Sequence, residues 1–136
     1  RGYAPKELIP ILNAMKERIF CVCGNCDAEV DQMVLEFPIL ADYAAFFVDG
    51  LSLYATHGHI YHEGNMPPLA PGSCFLYGHT HVPEMAYKEG HLFLNPGSVS
   101  LPKGGSRNSC MILEDGVFRL ISLDGDTLME SGKVIF

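Results

Sequence analysis

Leu8, Ile9, Ile11, Leu12 and Met15 recur at helical spacing, and Pro5 suits a first turn, so the pattern predicts a helix from Pro5 through Lys16. Arg18 to Cys23 is a short, mostly apolar run halted by Gly24, which reads as a buried strand. Asp27 then stands as N-cap of a second helix over Ala28 to Leu35, closed by Pro38. Helix, buried strand, turn and helix is the rhythm of an α/β fold with a parallel sheet.

The pattern changes after Asp42. Tyr43 to Val48, Asp49-Gly50 and Leu51 to Thr56 spell a β-hairpin. Ser73 to Tyr77 is another apolar strand ending in glycine, and Glu84 to Lys88, Glu89-Gly90 and His91 to Leu94 form a further hairpin. Cys110 to Leu113, Asp115-Gly116 and Val117 to Leu123 repeat the device, with a last strand expected near Lys133 to Phe136. The longest irregular stretches, Ile60 to Gly72 and Asn95 to Ser109, follow strands whose ends carry polar motifs, a common position for functional loops.

Composition narrows the class. The 136 residues fit one domain with a real core, and 48% hydrophobic with 18% charged residues indicates a globular chain. Nine basic against sixteen acidic residues leave a net charge of −7, which disfavours duplex nucleic acid and anionic membranes as partners. A divalent cation, or a small substrate carried by one, suits that charge. No apolar run is long enough to span a bilayer. Five cysteines make an odd count for a disulfide framework, and Cys21 and Cys23 are too close to pair, so a reducing cytoplasm is expected.

The chemistry gathers at three strand ends. Cys21-Val22-Cys23 leads to Gly24-Asn25-Cys26-Asp27, Leu53 to Thr56 leads to His57-Gly58-His59, and Phe75 to Tyr77 leads to Gly78-His79-Thr80-His81. In open α/β sheets ligands sit outside the carboxyl ends of strands, so these ends can converge on one site. Imidazole and amide oxygen suit manganese, iron or zinc. A lone His-Gly-His is equally at home in a polar loop, whereas His-Thr-His lets residues two apart approach adjacent metals from one edge. Cys21, Cys23 and Cys26 lack the second pair that a structural zinc site ordinarily needs, and buried thiols are the better reading. His91 falls inside a predicted strand and reads as structural, and His62 has no evident partner.

Together these motifs, in this order and with Asn95-Pro96-Gly97-Ser98 and Pro102-Lys103-Gly104-Gly105 following, resemble the calcineurin-like metallophosphoesterase superfamily over nearly the whole chain. Cysteine at position 26, Thr56-His57-Gly58-His59 and the Asn-Pro-Gly-Ser segment look most like the small bacterial YfcE-type phosphodiesterases. The resemblance implies an α/β fold, the carboxy-terminal portion of an αββα sandwich with two packed mixed β-sheets flanked by helices. It implies two divalent metal ions, manganese first among them, with zinc, iron or nickel as alternatives. Asn25, His57 and His79 would hold the second metal and His81 the first. Asp27 would brace the neighbouring loop, and His59 would line the pocket near the scissile phosphate. In relatives with histidine at position 26 that residue is the expected proton donor. Cys26 stands there instead, a poor substitute near neutral pH, so His59 or a metal-bound water would serve.

Two motifs of the superfamily, Asp-x-His and an early Gly-Asp, do not occur; Gly125-Asp126 lies in the carboxy-terminal strands. They would supply the carboxylates of a dimetal site, whose ions sit about 3.5–4 Å apart. Residues 1–136 are therefore expected to be a single phosphoesterase domain truncated at its amino terminus, missing roughly 30 residues or more. The activity expected of the parent is hydrolysis of a small phosphodiester by two-metal activation of water, with the fragment alone inactive. Two other readings stand beside it: a non-catalytic scaffold, as in a retromer-coat subunit of the superfamily, and a mononuclear metal protein using His57, His79 and His81. The substrate is unspecified, and a homo-oligomer remains open.

Overall fold

The computed structural model describes residues 5–27 and 29–135, so Ala28 of the expected second helix and Phe136 of the expected last strand lie outside it. Helix α1 spans Pro5–Ala14 and is followed by a 3₁₀ turn at Lys16–Arg18; helix α2 is a short Glu29–Val34. Eight strands follow among the described residues: β1 Tyr43–Val48, β2 Leu51–Thr56, β3 Cys74–Leu76, β4 Glu84–Lys88, β5 His91–Asn95, β6 Ser109–Glu114, β7 Val117–Ser122 and β8 Thr127–Lys133. They form a five-stranded sheet ordered β1-β2-β3-β5-β4 and a three-stranded sheet ordered β6-β7-β8. The α/β class with two sheets and few helices is as expected. The larger sheet is mixed, with β2, β3 and β5 running parallel, while the smaller is antiparallel throughout its described strands.

The hairpins follow from their turns. Asp49-Gly50, Glu89-Gly90 and Asp115-Gly116 all take positive φ at both positions, between 50° and 80°, as two-residue turns matching strand twist require. Alternation along the strands then sorts two faces. Leu51, Leu53, Cys74, Leu92 and Leu94 pack against Phe118 of β7, which joins the two sheets in one core. Tyr54, Phe75 and Phe93 face the other way, beneath Tyr61, Met66 and Leu69 of the loop after β2. Cys74 and Phe75 are both fully shielded, so β3 is buried on both faces, as a central parallel strand should be. Between the sheets a cleft of about 200 Å³ stays open, lined by Phe46, Leu76, Met111 and Leu113.

Two expectations are corrected. Arg18 to Cys23 is not a buried strand: Arg18 ends the 3₁₀ turn, residues 19–24 form no regular element, and Phe20 is 83% exposed. A strand is defined by its ladder, and among described residues the segment has one backbone bond to a neighbour, from Cys23 N to Ala41 O at 2.7 Å. The last strand is β8 at Thr127–Lys133 rather than Lys133 to Phe136, because the turn through Gly125 folds the chain back onto β7 at once.

Candidate metal centre

Because β2, β3 and β5 are parallel neighbours, their carboxyl ends lie side by side. His57 follows β2 directly and His79 lies just beyond β3. The bond from Cys23 to Ala41 carries Gly24 to Asp27 to the same edge, since Tyr43 pairs with Thr56 there. His57 Nε2 donates to Asn25 Oδ1 at 2.9 Å, and His79 Nδ1 lies 3.3 Å from the same Nε2. One amide oxygen and two ring nitrogens thus face a common point. That is the chemistry of a small cation shell, and these residues fit one such ion.

His81 behaves differently. Its Nδ1 donates to Leu101 O at 2.8 Å, which leaves Nε2 as the lone-pair nitrogen, the usual preparation of a metal-ligating imidazole. Among the described contacts its ring bonds none of Asn25, His57 or His79, but its charge reaches His57 and helps to lower that residue's pKa. Among the described residues no three His, Cys, Asp or Glu side chains are arranged to hold an ion by themselves.

The other motif side chains lie around this edge as follows. Asp27 Oδ2 accepts from Gly24 N at 2.6 Å and so ties off the turn that presents Asn25. The His59 ring lies 5.2 Å from that of His57 and 6.2 Å from that of His79, with its Nδ1 buried and without a hydrogen-bond partner. Cys26 is exposed, while Cys21 and Cys23 are half-buried and bond the nearby carbonyls of Val22 and Gly24. Burial lowers the pKa of His57, the neighbouring His59 and His79 lower it further, and Asp27 opposes them in part. A neutral ring is the form that binds a cation. His91 opens β5 with a buried, unpartnered Nδ1, and His62 is exposed with Nδ1 accepting from Gly64 N, so neither belongs to the cluster.

The loops are held by unusual backbone. His79 and His81 have φ of 69° and 63°, costly for side-chain-bearing residues at about 1–3 kcal/mol each. Thr80 N donates to Gly78 O at 2.8 Å, closing a γ-turn around His79 of the rare positive-φ form. Gly58 has φ of 111°, and a Cβ there would stand 3.1 Å from Gly78 O. The two histidine loops therefore touch backbone to backbone, and Gly78 N donates to His57 O at 2.7 Å. Beneath them lies Asn95, fully buried, which sequence reasoning marked only as part of a motif. An asparagine that ends a strand of apolar residues, ahead of Pro-Gly, was the available signal.

Comparison with known proteins gives the family. Residues 4–115 match the calcineurin-like phosphoesterase superfamily domain, and the chain belongs to that superfamily. Within it, the chain is 41% identical over 129 residues to the phosphodiesterase YfcE of Escherichia coli K12, spanning 94% of this chain and 70% of that protein. The solved structure of the E. coli YfcE phosphoesterase superposes with a TM-score of 0.93 at 37% identity, covering 99% of this chain and 74% of that one. A phosphoesterase-like protein of Streptococcus pneumoniae (TM-score 0.51, 18% identity, 91% and 87% coverage) shares the fold alone.

Proposed function

We propose that this chain carries the carboxy-terminal part of a metal-dependent phosphodiesterase acting on small phosphodiesters. The observation that carries the reading is the meeting of Asn25 Oδ1, His57 Nε2 and His79 Nδ1 at the strand ends. It occurs in a chain 41% identical to a phosphodiesterase. Asn25, His57 and His79 would hold one divalent ion, and His81 Nε2 would serve a second. Bound divalent ions supply Lewis-acid polarisation of the phosphoryl oxygens and acidify water. Asp27 holds the Asn25 turn in place. His59, whose ring lies 5.2 Å from that of His57, or a metal-bound water would give the proton to the leaving oxygen where Cys26 replaces an imidazole.

The carboxylates of a dimetal site are not among the recognised motifs of these 136 residues, and we assign them to polypeptide outside this sequence. Manganese is the first candidate ion and a reducing cytoplasm the compartment that suits five free thiols. The test is an aryl phosphodiester assay with manganese on the protein that carries this chain. His79→Ala and His81→Ala should each lower kcat/KM at least about 100-fold. Wild-type rates in both variants would discard the reading. The shortage of carboxylate favours one rival, an inert phosphoesterase-fold piece, and failure to bind manganese would establish that rival instead.

A further inference from the structure

The turn from Gly78 to His81 is strained at both histidines, and something must hold it so. Asn95 is the one side chain that reaches it from the core among the described contacts. It is fully buried at the end of β5; three of its polar contacts are made within the two loops, and its side chain also bonds that of Tyr77. Nδ2 donates to Gly78 O at 3.3 Å and to Thr80 Oγ1 at 3.0 Å, while Oδ1 accepts from Gly97 N at 2.9 Å. Thr80 is thereby fixed on both sides, because its hydroxyl also accepts from Val82 N at 3.3 Å. Gly97 has φ of 74°, and a Cβ there would meet Ser109 Oγ at 2.5 Å, so the second loop is pinned with little room to shift. The same second loop supplies Leu101 O as acceptor for His81 Nδ1, and its Lys103 N donates to His81 O at 3.1 Å.

We infer that Asn95 is a positioning residue: its carboxamide, acting through Thr80, keeps His79 and His81 in positive φ. His79 is thereby turned to His57 and His81 to Leu101. The geometry gives the reason. The Thr80 hydroxyl sits between two strained residues, and Asn95 and Val82 are the donors that hold it there. Its role toward metal binding rests on the function proposed above; its role toward the backbone does not.

The experiment uses the protein carrying this chain and three variants: Asn95→Leu, Thr80→Val and Thr80→Ser. Two quantities are read in each, alongside a thermal melt that reports folding. The first is the intraresidue HN–Hα cross-peak of His79 and His81, which is strong at positive φ and weak in extended backbone. The second is manganese affinity by calorimetry. Asn95→Leu and Thr80→Val should weaken the cross-peaks and lower affinity about 10–100-fold, the usual cost of losing a partner behind a ligand. Thr80→Ser, which keeps the hydroxyl, should restore both. Unchanged cross-peaks in folded Thr80→Val would overturn the inference, as would a Thr80→Ser that behaves like Thr80→Val. If Asn95→Leu does not fold, the threonine pair decides. If the unmutated protein takes up no manganese, the proposed function fails, and the cross-peaks alone decide for or against Asn95.

Discussion

Leu53, Phe75 and Leu94 are shielded almost completely between and behind the carboxy-terminal sheets, whereas Leu8, Phe20 and Met33, in the first 40 residues, stand open to solvent. The two regions have similar apolar patterning in sequence. They differ in what the chain provides opposite them. In the sheets the faces carrying Leu51, Leu53, Phe75 and Leu94 find partners in neighbouring strands, although outward-facing residues such as Phe47 stay exposed. Between α1 and α2, the irregular residues 19–24 have a single backbone bond to Ala41 and a stacked ring pair between Phe20 and Phe46. Apolar spacing states a demand for burial, and only tertiary neighbours meet it.

The sharpest way to break this comparison is Phe75→Ala, which opens a cavity on a strand buried on both faces. It should cost about 3–5 kcal/mol, read as a fall in the urea midpoint. A loss below about 1 kcal/mol would mean that the sheet core is far looser than its burial implies. Gly58→Ala is next. It places a methyl group against Gly78 O at a backbone angle that disfavours side chains, and should cost about 1–3 kcal/mol while separating His57 from His79. Retained stability would show that the loops can slide apart freely.

Protons probe the same edge more gently. The folded-state pKa of His57 lies below the ordinary value of 6.5, with burial as the first cause. Above pH 6.5 the ring is neutral in both folded and unfolded chains, and its contribution is fully present. As pH falls from 6.5 toward the lowered folded value, only the unfolded chain takes up the proton, so stability declines. A metal-free urea series from pH 8 to pH 5 should show that decline, and it should shrink in His57→Gln. The smallest effect is expected from Phe20→Ser, within about 0.5 kcal/mol of the unmutated chain, because an 83% exposed ring has little burial to lose. A cost like that of Phe75→Ala would show Phe20 to be covered in solution.

The hairpins were legible in the sequence because Asp-Gly and Glu-Gly turns encode their own backbone. Asp49, Glu89 and Asp115 sit at φ of 52°, 50° and 51°, with a glycine after each. The motif residues were legible too, since each lies within a few positions of an apolar run. Residues 18–23 were misread because an apolar run ending in glycine is a strand only beside another strand, and that neighbour cannot be seen in local spacing. The last strand was misplaced because Thr127 to Lys133 is mostly polar or small, and its pairing with β7 is irregular. Asn95 was legible as a motif letter but not as a brace, because its contacts reach back 15 and 17 residues to Thr80 and Gly78.

The parallel pairing of β2 with β3, and of β3 with β5, has a kinetic consequence. Hairpins such as β1–β2, β4–β5 and β6–β7 close locally, on a scale of about 1–10 μs for such units. The β2–β3 pairing must wait for the loop of residues 57–73 to find its course, and long-range parallel registration is slow. Before that step His57 and His79 sit on separate pieces of chain; once Leu53 meets Cys74 and Ala55 meets Leu76, they face each other. The cluster is therefore assembled late, by the slowest contacts in the sheet, and a chain caught before that point would hold its hairpins intact with no site between them.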